Sequence, residues 1–334
     1  MAKKMTMADI AELSGVGKST VSRFFNGGYV KQETKEKIQK VIKEYNYMPN
    51  TFARLKAKQS NLIGVIVPTL NSKITGRVVT SIDRYLREKN YTTLIQSSDH
   101  DIDQELENIQ RLLQLNVDGI LISSIAITQD HKELFQEIQI PVVVLAQEYD
   151  EGISIVDDDY RAGKHMGTYI GKAGHRKVGY IGVYETDEAV GIRRKQGVLD
   201  GLQECGITDP IVGKSDYSFI GGQKVAREIL EKAPDLDAII CATDRLAFGA
   251  YKILHEAGKR IPDDVSVVGF GGYDESTLLT PELTTLKFDS YGMGYFGAET
   301  ILKMIQKKRV SKRQVVDYTF IEGKSVKKNK GDAK

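Results

Sequence analysis

A short run of hydrogen-bond donors near the start of the chain is the first group of residues whose types and spacing suggest chemistry. Lys18, Ser19, Thr20, Ser22 and Arg23 fall within six consecutive positions. Such side chains donate hydrogen bonds to phosphate oxygens, and Lys and Arg also donate to the base edges of guanine. The run therefore predicts a surface that reads DNA.

A helix-turn-helix would place these donors on the outside of its second helix. Apolar residues recur at helical spacing from Met7, and Ser14-Gly15-Val16-Gly17 interrupts the pattern just before the donors begin. Ala11, Val16 and Val21 would then meet as the small core that this motif needs. The pattern predicts two helices with a tight turn between them.

The head continues for about fifty residues. Gln32 to Tyr45 shows a third helical pattern, and Met48-Pro49 ends the unit, so residues 1–49 are predicted to form an all-α helix-turn-helix domain. Residues 50–60 follow as a short basic segment. This segment is either a plain linker or a helix that becomes ordered only on DNA.

Charge is unevenly distributed along the 334 residues. The first sixty hold twelve Lys and Arg against five Asp and Glu, a net charge of +7, and because the whole chain carries +2 the remainder carries −5. A basic domain joined to a mildly acidic one predicts that only the first meets a polyanion. The N-terminus has no apolar leader, and no apolar run approaches the ~18 residues of a membrane helix. We expect a cytoplasmic protein with no membrane partner.

Beyond the basic segment the pattern changes to alternating strands and helices. Leu62 to Val67 is a continuous apolar run, as in a buried parallel strand. Strand and helix patterns then alternate twice over, and a final helix is expected at about Tyr291 to Ile305. The sequence predicts two α/β subdomains with parallel sheets and a cleft between them over residues 61–326. A disordered, Lys-rich tail is expected over residues 327–334.

Motifs along the whole chain match one known family. In the head the matching residues are Thr6 to Ala11, Gly15-Val16, Ser19 to Arg23, Asn26, Asn46 to Asn50 and Ala53-Arg54. In the remainder they are Asp118 to Ile120, Gly174 to Val178, Arg194, Gly197, Thr243-Asp244, Ile261-Pro262, Val267 to Phe270, Thr280-Pro281 and Leu283 to Thr285. Together these motifs resemble the lactose-repressor and galactose-repressor family of transcription factors.

The resemblance implies a fold and a way of working. The fold would be a helix-turn-helix head, a hinge over residues 50–60, and a core like that of periplasmic sugar-binding proteins. The protein would bind double-stranded operator DNA as a homodimer or tetramer. A small-molecule sugar effector in the core cleft would change its affinity for the operator.

The resemblance also assigns DNA contacts in the head and hinge. These residues are Thr6, Gly17, Lys18, Ser19, Thr20, Ser22, Arg23, Asn26, Tyr47, Asn50, Ala53, Arg54 and Leu55. Lys18 and Ser19 occupy the two positions that vary with operator sequence, although Lys18 could contact phosphate alone. In the family a hinge leucine wedges into the minor groove. Leu55 comes one residue early here, so either the hinge helix rotates to keep the insertion or the insertion is weaker.

The resemblance assigns effector binding in the core to Ser72, Gln147, Arg194, Asp244 and Asp274. Arg194 would donate to sugar hydroxyls, the alternative being a surface ion pair. Asp244 either faces the cleft or caps the following helix. The family usually has an Asp where this chain has Gly271, so Asp274 is expected to reach in from a shifted loop. Gln147 remains as the polar contact where an Asp-Arg pair is common.

Other groupings predict no further chemistry. Asp157-Asp158-Asp159 lacks the Gly and closing Glu of a calcium loop, so these are expected to be strand-end residues, one of them facing the cleft. The five His and two Cys show no metal-ligand spacing, and no Ser, His and acid set stands out. The sequence therefore predicts no metal site, no cofactor and no catalytic residues.

We accordingly expect a repressor of a carbohydrate-utilisation operon, released by a sugar or a sugar phosphate. A cleft that lacks one family Asp favours a larger sugar, such as sucrose, trehalose or a related oligosaccharide. The alternatives are a global regulator that uses a phosphoprotein corepressor, a sugar-binding transport component, and an enzyme on the same scaffold.

Overall fold

The structure is a computed structural model that describes residues 5–25, 28–45, 47 and 59–328. Contacts divide the chain into two units, Met1–Ser60 and Asn61–Lys334. Residues 50–58 of the predicted hinge and 329–334 of the predicted tail lie outside the described residues. So do five of the predicted DNA contacts, which are Asn26, Asn50, Ala53, Arg54 and Leu55.

The first unit contains three helices, α1 (Met7–Leu13), α2 (Lys18–Phe25) and α3 (Gln32–Glu44). The turn between α1 and α2 contains Gly15 at φ +67°, a conformation that favours glycine because it has no Cβ. The predicted interior residues Ala11 and Val21 belong to the buried cluster of this unit. The predicted helix-turn-helix is confirmed.

The second unit contains two six-stranded sheets. The strands are β1 (Leu62–Val67), β2 (Thr92–Ser97), β3 (Gly119–Ser123), β4 (Val142–Leu145), β5 (Ser154–Asp157), β6 (Val178–Val183), β7 (Ile211–Ser215), β8 (Ala238–Cys241), β9 (Ser266–Phe270), β10 (Thr284–Phe288), β11 (Arg313–Val316) and β12 (Tyr318–Ile321). The orders are β2-β1-β3-β4-β5-β11 and β7-β6-β8-β9-β10-β12. Every pairing is parallel except that of β12 with β10.

Helices cover the faces of both sheets, as parallel strands require. They are α4 (Lys73–Glu88), α5 (Ile102–Gln114), α6 (Gln129–Glu137), α7 (Asp159–Lys172), α8 (Lys195–Glu204), α9 (Phe219–Lys232), α10 (Asp244–Glu256) and α11 (Ser290–Ile305), with a π-helix over Glu188–Arg194 and a 3₁₀-helix over Asp274–Leu278. We call the β1 sheet with α4 to α6 and α11 the first subdomain, and the β6 sheet with α7 to α10 the second subdomain. No helix among the described residues is long and apolar enough to cross a membrane.

The final helix packs against the first subdomain rather than continuing the second. Ala298 and Ile301 of α11 belong to the same buried cluster as Ile63 of β1. Gly294 lies so close to α4 that a Cβ there would be 2.3 Å from the carbonyl oxygen of Val78. The chain therefore crosses between the subdomains three times: after β5, before α11, and between β11 and β12. The linear order of patterns did not predict this return.

The C-terminal segment stays packed further than predicted. Ser325 is fully buried, and its hydroxyl donates to the carbonyl oxygen of Val267 at 2.5 Å and accepts from Thr284 N at 2.8 Å. Lys327 N donates to the hydroxyl of Ser266 at 2.9 Å. The predicted start of the disordered tail at residue 327 is therefore wrong, because two serines tie this segment to β9.

Candidate functional site

The first candidate site is the outer face of α2. Lys18, Ser19 and Arg23 are exposed, whereas Val21 on the opposite side is fully buried. Within the described part of the chain, neither Lys18 nor Arg23 forms an ion pair. The structure thus presents the predicted donors to solvent, with their positive charges available to an anion.

The remaining described head residues fall into three groups. Gly17 is exposed just before α2, and Thr20 and Ser22 are half-buried. Thr6 is the N-cap of α1, where its hydroxyl forms a reciprocal cap with the third residue of the helix. Tyr47 is only 8% exposed and packs in the core of the head. Its predicted DNA contact is therefore wrong for the ring, which sequence alone could not distinguish from a surface tyrosine.

The second candidate site is a cavity of about 480 Å³ between the two subdomains. The residues that line it follow the carboxyl ends of strands β1 to β5 in the first subdomain and β6 to β10 in the second. Ligands of open α/β sheets bind at this edge. The volume lies in the range of small-molecule sites, which is roughly 300–1,000 Å³.

Arg194 lines this cavity at the end of the π-helix, and its charge is already paired. Nε and Nη2 contact Oδ1 of Asp159 at 2.7 and 2.5 Å, and Nη1 donates to the carbonyl oxygen of Ala242 at 2.7 Å. The guanidinium lies 5.0 and 4.9 Å from the ring centroids of Phe270 and Phe288. Burial acts to lower the pKa of Arg194, but the Asp159 carboxylate raises it above the usual value. Arg194 is therefore a fixed cation in a buried, not a surface, ion pair.

Gln147 lies where it was predicted, and it joins the two subdomains. Its Nε2 donates to the carbonyl oxygen of Ile125 at 2.8 Å and to Oδ1 of Asp187 at 3.2 Å. Asp187 also accepts from the hydroxyl of Tyr217 at 2.5 Å, and the ring of His100 stacks on Tyr217 with centroids 5.6 Å apart. The sequence reasoning missed Asp187, which lies four residues after the end of β6 and follows another acid, Glu185, so that spacing alone did not single it out.

The other predicted polar residue in the cavity is Ser72. It is the N-cap of α4 and lines the cavity beside a second set of contacts between the subdomains. Arg245 Nη1 donates to the carbonyl oxygen of Asn71 at 2.9 Å, and Arg77 Nη1 donates to that of Gly271 at 3.2 Å. Two separate sets of hydrogen bonds therefore span the cleft.

Asp244 does not line the cavity, so its predicted effector contact is wrong. The side chain is fully buried and accepts from Tyr273 N at 2.8 Å, from the hydroxyl of Ser276 at 3.0 Å and from the hydroxyl of Thr285 at 2.6 Å. The helix-cap alternative fails as well, because Thr243 is the N-cap of α10. Asp244 instead holds the loop after β9 in place.

Asp274 is not a cavity residue either. Its side chain is 90% exposed and forms an ion pair with Arg77 at 3.5 Å. The side chain from the loop after β9 that lines the cavity is instead that of Tyr273. Gly271 has φ +137°, and a Cβ there would lie 2.7 Å from the Tyr273 ring. The expected Asp therefore has no equivalent here, because an aromatic ring occupies its place.

The run Asp157-Asp158-Asp159 places two side chains in the cavity where one was expected. Asp158 caps α7, whereas Asp157 and Asp159 line the cavity. Oδ1 of Asp157 is buried and has no hydrogen-bond partner among the described residues. Burial, and then the nearby Asp159 carboxylate, raise the pKa of Asp157 to about 8. Burial and this neighbour therefore favour the protonated form of the Asp157 carboxyl group.

Fold and sites together define a regulator with a DNA-reading head and a ligand-binding α/β core. A family model described as periplasmic binding proteins and sugar binding domain of LacI family matches residues 60–322, and one described as bacterial regulatory proteins, lacI family, matches residues 6–50. The chain belongs to the LacI family of bacterial regulatory proteins, which are DNA-binding transcriptional regulators.

Individual relatives span nearly the whole chain. The sucrose operon repressor of Staphylococcus xylosus is 32% identical over 312 residues, covering 93% of this chain and 97% of its own length. The ribose operon repressor of Halalkalibacterium halodurans is 32% identical and covers 91% of each chain. The crystal structure of the lac repressor dimer bound to operator and the anti-inducer ONPF matches with a TM-score of 0.87 at 25% identity, covering 97% of this chain and 99% of that one.

Proposed function

We propose that this chain represses a carbohydrate-utilisation operon as a homodimer on operator DNA in the cytoplasm, and that a sugar in the cavity releases it. The main support for this proposal is the cavity. Its polar groups come from both subdomains, and it belongs to a chain with a DNA-reading head. The lac repressor was crystallised as a dimer on its operator, which supports the proposed assembly.

The effector that we propose is an oligosaccharide of the size of sucrose or trehalose. The similarity to a sucrose operon repressor along 93% of the chain supports this class. The cavity offers the hydrogen-bonding groups that sugar hydroxyls need, among them Gln147, Asp187 and Ser72. Its wall also includes the rings of Tyr273 and Phe288, which suit the apolar faces of a sugar.

Release requires that the sugar bind one arrangement of the subdomains more tightly than the other. A tenfold fall in operator affinity corresponds to a difference of about 1.4 kcal/mol. Gln147 and Asp187 meet across the cleft on one side of the cavity, and Arg77 and Gly271 meet across it elsewhere. A ligand that touches both subdomains can therefore favour one arrangement by inserting between such pairs.

The test uses the full chain and a DNA duplex selected from a random pool. Gel shifts at one fixed salt concentration would measure operator affinity with each of a panel of neutral sugars, sugar acids and sugar phosphates. We expect a disaccharide to weaken operator binding tenfold or more, because it binds the operator-free arrangement preferentially. If only a monosaccharide releases the operator, the proposed oligosaccharide effector is wrong. If no sugar of the panel releases it, induction by a sugar is wrong.

A chain lacking residues 1–60 provides the second arm. It should lose operator binding and still show a rise in melting temperature with the same sugar, since ligand binding stabilises the folded state. Operator affinity retained by this shortened chain would overturn the assignment of DNA reading to the head.

A further inference from the structure

The cavity is acidic, and this limits the charge of the molecule that it binds. The acids that line it are Asp99, Asp157, Asp159, Asp187 and Asp216. The basic side chains among its described lining residues are Arg194, Arg245 and the imidazole of His100, which stacks on Tyr217. A phosphate or carboxylate on a ligand would therefore need a cation that is not already neutralised.

Arg194 does not meet that requirement, and Arg245 meets it only in part. Arg194 is only 6% exposed, and its Nε and Nη2 both contact Asp159. Arg245 donates to the carbonyl oxygen of Asn71, and its charge acts on Asp216. The pKa of Asp216 is lowered chiefly by the hydroxyl of Ser218, so this acid stays ionised beside Arg245. The charge of Arg194 is therefore balanced before any ligand arrives, whereas that of Arg245 is only partly offset by Asp216.

Helix N-termini at the cavity offer no substitute for a cation. Their end amides could bind an anion, but side chains of the protein already accept from them. Ser72 caps α4, Asp187 caps the π-helix, Ser218 caps α9 and Thr243 caps α10. An anionic ligand would have to displace these caps or approach the carboxyl groups of Asp99, Asp187 and Asp216.

Among the described residues that line the cavity, Asp157 has a buried polar atom that the protein leaves unsatisfied. Its Oδ1 is buried without a hydrogen-bond partner among the described residues, at the end of β5. The charged groups that act on it are Asp159 on α7, Arg194 on the π-helix and Asp289 before α11. A buried polar atom without a partner is costly, so a hydroxyl supplied by a ligand would remove that cost.

We propose that Asp157 sets the charge class of the effector: its carboxyl group hydrogen-bonds a hydroxyl of an uncharged saccharide, and the cavity rejects saccharides that carry phosphate or carboxylate. This rests on the proposed sugar-released repressor and narrows its effector. The ligand covers a carboxyl group that lies beside Asp159, so it binds the protonated form of Asp157 more tightly. Affinity for the neutral saccharide should therefore fall in alkaline solution.

The first experiment compares matched ligands on the full-length protein at pH 7. Calorimetry would measure binding of neutral disaccharides and of the same sugars phosphorylated at one hydroxyl, such as sucrose with sucrose 6-phosphate and trehalose with trehalose 6-phosphate. Monosaccharides would be paired with their phosphates and uronic acids. We expect the neutral member of one pair to bind and its anionic partner to bind at least 100-fold more weakly.

The second experiment assigns the effect to Asp157 with two variants. For the wild type we expect the Kd for the neutral saccharide to rise up to tenfold per pH unit between pH 8 and 9.5. In Asp157→Asn the Kd should be nearly constant from pH 7 to 9.5, because the amide does not ionise. Asp158→Asn is the matched control, since Asp158 caps α7 outside the cavity and Asn also caps helices. The Kd of this control should show the same dependence on pH as that of the wild type.

The outcomes separate this assignment from the proposed function. If the anionic member of a pair binds as tightly as the neutral one, the protein is still released by a sugar, but the charge assignment is overturned. The same holds if Asp157→Asn keeps the pH dependence of the wild type. If no saccharide of either kind binds, both the effector class and the role of Asp157 are wrong.

Discussion

The face of α2 and the cavity of the core are both recognition surfaces, and they are built in opposite ways. On α2 the donors come from one helix and are exposed, with Lys18 and Arg23 outside any ion pair in the described part of the chain. In the cavity the charged groups come from many strand ends, and several are buried and paired with one another. Arg194 with Asp159 is the clearest case.

This difference teaches which property each surface controls. An exposed donor outside any ion pair contributes to binding and little to folding. A buried charge that neutralises another contributes to both, because removing it leaves its partner in a site that cannot solvate it. Substitutions of the exposed Lys18 and Arg23 should therefore alter DNA affinity alone, whereas substitutions in the cavity should alter stability as well.

The largest expected effect is the loss of stability in Arg194→Ala. The change leaves the Asp159 carboxylate buried beside Asp157 without a counter-charge. Breaking one partner of a buried ion pair costs about 3–5 kcal/mol. Scanning calorimetry of the full chain should show a large fall in the melting temperature of the core transition.

Arg193→Ala is the control next in sequence. Its side chain is 43% exposed and pairs with Glu148 and Glu188 at 3.0 and 3.1 Å. Surface pairs of this kind contribute about 0–1 kcal/mol. Equal destabilisation by the two substitutions would contradict the contrast between buried and exposed charge.

The next effect is a pH dependence of stability that arises in the cavity and not in the head. Because the fold raises the pKa of Asp157 from its ordinary value of 3.8 to about 8, the folded state binds more protons than the unfolded state between those values. The contribution of Asp157 to stability therefore falls as the pH rises through this window, by up to about 1.4 kcal/mol per pH unit.

Asp157→Asn isolates this contribution. Denaturant titrations at pH 5, 6.5 and 8 should show the variant gaining stability relative to the wild type at each step, with little further change above about pH 8. Asp159 and Asp244, whose pKa values burial also raises, are present in both proteins and largely cancel in the difference. A difference that is independent of pH would show that Asp157 is ionised throughout.

On α2, Arg23→Ala should weaken operator binding by about 1–3 kcal/mol while the melting temperature stays the same. A bidentate contact with guanine contributes discrimination of that size, and the exposed arginine supports no core packing. Gel shifts at several salt concentrations would separate base reading from phosphate contact, since loss of a phosphate contact reduces the salt dependence by about one unit of slope. A lower melting temperature of Arg23→Ala would contradict the expectation that this residue affects operator affinity without affecting stability.

The same contrast explains how much the sequence could predict. The three helices of the head follow from local apolar periodicity, and the exposure of Lys18 with the burial of Val21 follows from helix geometry. Several central strands follow from apolar runs such as Leu62 to Val67, whereas edge strands such as β11 have no continuous apolar run and were not predicted. The return of α11 to the first subdomain was not predictable in this way, because it depends on contacts between segments more than 150 residues apart.

The cavity was predicted in position but only partly in composition. Arg194, Gln147 and Ser72 line it, yet Asp187, Tyr217 and Tyr273 were missed. Asp244 and Asp274 were assigned from their places in a motif, but the direction of each side chain is set by the loop after β9. Positive φ at Gly271 turns that loop, which the residue types alone do not reveal.

The smallest expected effect belongs to Asp274, and it tests whether the loop after β9 is understood. Asp274→Ala removes an exposed carboxylate whose only ion pair among the described residues is the 3.5 Å contact with Arg77. We expect the free energy of unfolding to change by less than about 0.5 kcal/mol and the affinity for the effector to stay within twofold. Tyr273→Ala in the same loop should weaken effector binding clearly, because it removes a ring from the cavity wall. If Asp274→Ala were instead the more damaging of the two in a calorimetric titration, the carboxylate would have to reach the ligand, and the loop would adopt a different conformation when the effector is bound.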